Sequence, residues 1–163
     1  MAKAHVPTEQ DAIEATRIVL AGLARGDDVP DLAKELVALN PNKDKFVSDA
    51  LLGLGADVLD LAGVSRERPI VHERLRDRFL PECEFVGRQN RKFQYALLCI
   101  GALRGGIKVD LAEELYWWRT DDFWHYALCA FVAWTRAAAD HAGISIAVIC
   151  ERLAALHSVE LRA

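Results

Sequence analysis

The chain repeats itself. Moving the first half forward by about 79 residues lays Gly22, Arg25 and Gly26 on Gly101, Arg104 and Gly105, Asp31-Leu32-Ala33 on Asp110-Leu111-Ala112, and Glu35-Leu36 on Glu114-Leu115. Eight of the fifteen positions from Gly22 to Leu36 are identical, where chance supplies about one. After a one-residue adjustment Asp60, Ala62, Gly63 and Ser65 meet Asp140, Ala142, Gly143 and Ser145, and after two residues are removed Glu73-Arg74-Leu75 meets Glu151-Arg152-Leu153. The gaps fall between helical patterns, where loops absorb changes of length. Whatever one half folds into, the other half must fold into as well.

Each half reads as four helices. Thr8 caps a first helix whose inward positions are Ile13, Thr16, Val19, Leu20 and Leu23, ended by Arg25 and Gly26. A short helix follows over Pro30 to Leu39, with Leu32, Leu36 and Leu39 on one face. A third spans Lys43 to Ala62 with Phe46, Val47, Ala50, Leu51, Leu54, Val58 and Leu61 inward, and Gly63 stops it. Ser65 begins a fourth, with Val71, Leu75 and Phe79 toward the core, closed by Pro81. The plan restarts at Arg88 to Leu103 with Phe93, Ala96, Leu97, Ile100 and Leu103. In the second half the third helix, Asp121 to His141, carries Phe123, Ala127, Leu128, Ala130, Phe131, Trp134 and Ala138 around most of its circumference, the pattern of a central helix. The expected fold is an all-α bundle of about eight helices, a duplicated four-helix unit. Residues 1–81 and 82–163 pack as one compact domain about a pseudo-two-fold axis.

Composition narrows the class. With 52% hydrophobic and 27% charged residues the chain can bury a sizeable core. A net charge of -4 argues against a general polyanion binder. The apolar runs Ala96 to Leu103 and Tyr126 to Trp134 are far short of the roughly 20 residues a membrane helix needs, and Met1 to Gln10 has no apolar signal segment. Cys83, Cys99, Cys129 and Cys150 are widely spaced, three of them within apolar helical runs, so free thiols in a cytoplasmic setting are expected.

No catalytic residue, cofactor or metal site is assigned from the sequence. The repeated Arg-Gly pairs read first as helix ends and only secondarily as twin anion sites. His125 and Cys129 share a helix face and could hold a metal with Cys150 or His157. The stripe runs on to Arg136 and Asp140, however, and reads as a solvated face. The first half has Asp49 in place of Cys129. Asp121 and Asp122 beside His125 could serve acid–base chemistry, but at a helix start they complement the dipole. Asp140, His141 and Ser145 supply triad residue types in positions unable to form a triad.

Two surfaces remain. Arg66, Arg68, Arg74, Arg76, Arg78, Arg88, Arg91 and Lys92 cluster in one stretch, but Glu67, Glu73, Asp77, Glu82 and Glu84 are interleaved with them. That is the pattern of an ion-paired face more than of a nucleic-acid groove. The aromatic asymmetry is more telling. Tyr116, Trp117 and Trp118 stand where the first half has Val37, Ala38 and Leu39. Consecutive helical residues differ by about 100°, so at least one ring must leave the buried stripe of Leu111, Leu115 and Trp118, either to pack against the other half or to reach the surface. The leading expectation is a non-enzymatic protein-interaction or regulatory module, a homodimer through Tyr116, Trp117 and Trp124. The alternatives are a nucleic-acid-binding regulator through Arg66, Arg68, Arg74, Arg78, Arg88, Arg91 and Lys92, and an enzyme or metal protein built on Asp121, Asp122, His125 and Cys129.

Overall fold

The structure is a computed structural model that describes residues 9–39, 45–63, 88–103 and 123–161. The described residues form six helices and no strand: α1 (Glu9–Arg25), α2 (Val29–Leu39), α3 (Lys45–Leu61), α4 (Arg88–Leu103), α5 (Phe123–Ala142) and α6 (Ile146–Leu156). The helices expected between Ser65 and Pro81 and around Asp110 to Trp118 lie outside the described residues, as does the Thr8 cap. No described helix is long and apolar enough to cross a membrane.

The helix ends follow the local chemistry of the chain. At the end of α1 the Gly26 amide bonds to the Leu23 carbonyl and the Asp27 amide to Gly22, a paired closure that satisfies carbonyls left over by the last turn. The Gly143 and Ile144 amides close α5 in the same way on Asp140 and Ala139. Asp28 opens α2 by accepting the Asp31 amide at 3.0 Å, and Ser145 opens α6 by accepting the Val148 amide at 3.2 Å. Ser145 is the residue the alignment pairs with Ser65, expected at a helix start; Asp28 was not singled out.

The core is built around α3 and α5, which share the most extensive helix–helix contact. Helix α1 packs on α6, α2 and α3; α4 packs on α5 and α3; α2 and α6 close on α5. Helix α5 is buried on every side along its middle, from Tyr126 to Thr135, and Phe123, Ala138 and Ala139 also belong to the core. Small residues on this helix let its neighbours approach, and the large rings fill the space between them. Two threonines share this interior. Thr16 and Thr135 satisfy their hydroxyls by donating to the carbonyls of Ala12 and Phe131, each at 2.8 Å and one turn back. Burial of Val19, Leu20, Leu23, Leu32, Leu36, Leu51, Leu54, Val58, Phe93, Ala96, Leu97 and Ile100 agrees with the inward faces read from the sequence. Ile13 departs from that reading: it is 40% exposed.

Candidate functional site

The corner between α1 and α2 gathers the first-half members of the repeated residues. A Cβ on Gly22 would collide with the Leu32 side chain, so only glycine lets α2 fold back this tightly on α1. Arg25 then fastens the corner. Its Nη2 donates to Asp27 Oδ2 at 2.7 Å and to Glu35 Oε1 at 3.0 Å. The hydrogen bond to Asp27, reinforced by the charges of Asp27 and Glu35, raises the guanidinium pKa above its ordinary value. With two carboxylates already on it, this arginine is engaged in the helix corner. Leu32 and Leu36 are buried, and Asp31 lies in the first turn of α2. Gly22, Arg25, Gly26, Asp31, Leu32, Glu35 and Leu36 thus all have a place in the α1–α2 corner.

The His125–Cys129 pair differs from its expected setting. The face shared with Arg136 and Asp140 is not uniformly solvated: Cys129 is 1% exposed, within the core, while His125 is half-buried and Asp140 exposed. Cys129 Sγ lies 4.0 Å from His125 Nε2. The imidazole meets the rings of Trp124 and Tyr126 edge-on, at centroid distances of 5.8 and 5.7 Å. Among the described residues no group of three His, Cys, Asp or Glu is arranged to hold a metal ion. His157, considered as a further ligand, instead places its Nε2 2.8 Å from Asp57 Oδ2 on α3. Cys150, the other, is buried, and burial with the nearby charge of Glu151 pushes its thiol pKa up to about 12. It is a neutral core residue, as are thiols in most apolar interiors. Cys99, Cys129 and Cys150 are all buried and in no disulfide, as expected; Cys83 lies outside the described residues. Asp121 and Asp122 also lie outside them.

Of the arginine-rich stretch, Arg66, Arg68, Arg74 and Arg78 fall outside the described residues, and the Arg88 side chain does too. Arg91 is exposed on α4, whereas Lys92 is half-buried with its ammonium 5.4 Å from the centre of the Tyr126 ring. That cation–π contact ties α4 to α5 and employs Lys92 within the fold.

Of the proposed aromatic contact residues, Tyr116 and Trp117 lie outside the described residues, and Trp124 is half-buried against the core. The neighbouring rings Phe123, Tyr126, Phe131 and Trp134 are buried. The first half offers a direct view of the positions that the repeat pairs with the aromatic run. Val37 is 43% exposed, Ala38 is exposed and Leu39 is half-buried.

Comparison with known proteins finds no matching family model, no matching curated sequence and no matching solved structure.

Proposed function

We propose that the chain is a non-enzymatic interaction module, a duplicated four-helix unit that pairs with a second copy of itself through Tyr116, Trp117 and Trp124. The observation that carries this reading is the exposure of Val37 and Ala38. The alignment of the halves puts Leu111 and Leu115 on the buried Leu32 and Leu36, and it puts Tyr116 and Trp117 on those two solvent-facing positions. If the second half keeps the exposure of Val37 and Ala38, the large rings aligned with them face outward. They are the residue types that anchor protein interfaces.

The duplication itself draws support from the twin helix ends. Gly63 and Gly143, aligned by the repeat, have φ of 74° and 67°, and their amides bond to the aligned Asp60 and Asp140. The Arg25–Glu35 pair also has its residue types preserved at Arg104 and Glu114. In the first half the shared residues build the α1–α2 corner, so we place a function specific to this protein where the halves differ.

Sedimentation of the full chain over a range of concentrations tests the proposal. The wild type is expected to self-associate, and Trp117→Ala to shift it toward monomer with unchanged helicity by circular dichroism. Val37→Ala, on the other half, leaves association as it was. A wild-type chain that stays monomeric throughout, or a Trp117→Ala variant that dimerises as before, overturns it.

A further inference from the structure

We draw no further inference here: the strongest candidate, the His125–Cys129 pair on one face of α5, offers two ligating atoms that no third His, Cys, Asp or Glu among the described residues joins to make a metal site, and its thiol is buried in the core.

Discussion

Gly55 of α3 lies so close to Ile100 of α4 that a Cβ on the glycine would sit 2.6 Å from Ile100 Cδ1 and 3.0 Å from its Cγ1. Ile100 is fully buried, so its branched side chain has nowhere to retreat. Two residues earlier on the same helix, a Cβ on Gly53 would meet nothing within 4 Å. The same substitution should therefore have opposite effects. Gly55→Ala overpacks the contact between α3 and α4 and should cost about 1–3 kcal/mol. Gly53→Ala stiffens a helix interior without a clash and should stabilise by about 0.4–1 kcal/mol. Urea unfolding of both variants gives the answer. Equal effects of the same sign would mean that α3 and α4 do not approach as described.

Asp57 and His157 are one hundred positions apart in sequence and 2.8 Å apart in space. They fasten the end of α6 to the middle of α3. Both side chains are about one-third exposed (36% each), so solvent screens the pair and its coupling should be small, about 0.2–1 kcal/mol. A double-mutant cycle with Asp57→Ala and His157→Ala measures it directly. A coupling above about 2 kcal/mol would require a desolvated pair, contrary to the exposure observed.

Cys150 gives a prediction in alkaline solution. Burial, and then the charge of Glu151, raise its thiol from the ordinary 9.0 to about 12. The folded chain thus keeps a proton that the unfolded chain loses. This contribution to stability is fully present below pH 9 and is lost as pH climbs toward 12, at a rate of no more than about 1.4 kcal/mol per pH unit. Iodoacetamide at pH 8.5 should leave Cys150 unmodified in the native protein and alkylate it in urea, as read by peptide mass spectrometry. Removing the thiol in Cys150→Ala should flatten the decline of stability between pH 9 and 11. An unchanged slope would show that the thiol ionises as readily folded as unfolded.

Much of this architecture was legible because helices announce themselves locally. Ser145 and the glycines at 26, 63 and 143 mark boundaries by their own backbone chemistry, and the apolar circumference of Phe123 to Ala138 identifies a central helix without any knowledge of its neighbours. Properties set by distant neighbours were not legible. Periodicity puts Ile13 on the inward face of α1 but does not reveal that it stays 40% exposed. The polar types at His125, Arg136 and Asp140 suggested a wet stripe, yet the neighbours of α5 bury Cys129 in the middle of it. Nothing near Asp57 foretells His157. The repeat fared better at assigning roles: Gly22 and Arg25, which it singles out, hold the α1–α2 corner together. It cannot by itself say what the divergent aromatic run meets.

The helix ends provide the last test. Gly63 and Gly143 both adopt the left-handed conformation, and a Cβ on either meets nothing within 4 Å. Alanine at each site should therefore cost only the backbone penalty of that conformation, about 1–2 kcal/mol, and nothing from packing. If the two halves end their third helices alike, the two penalties should agree to within about 0.5 kcal/mol and add in the double variant. The chain then repeats the turn after α6 without a glycine. Ser158 has φ of 54°, while the Ser158 and Val159 amides bond to the Ala155 and Ala154 carbonyls. A side chain is strained there, so Ser158→Gly should recover about 1 kcal/mol. Thermal unfolding of Gly63→Ala, Gly143→Ala, their combination and Ser158→Gly checks all four values. A harmless Gly63→Ala beside a costly Gly143→Ala would mean that the aligned glycines close different turns, and the twin-helix argument for duplication would fall with it.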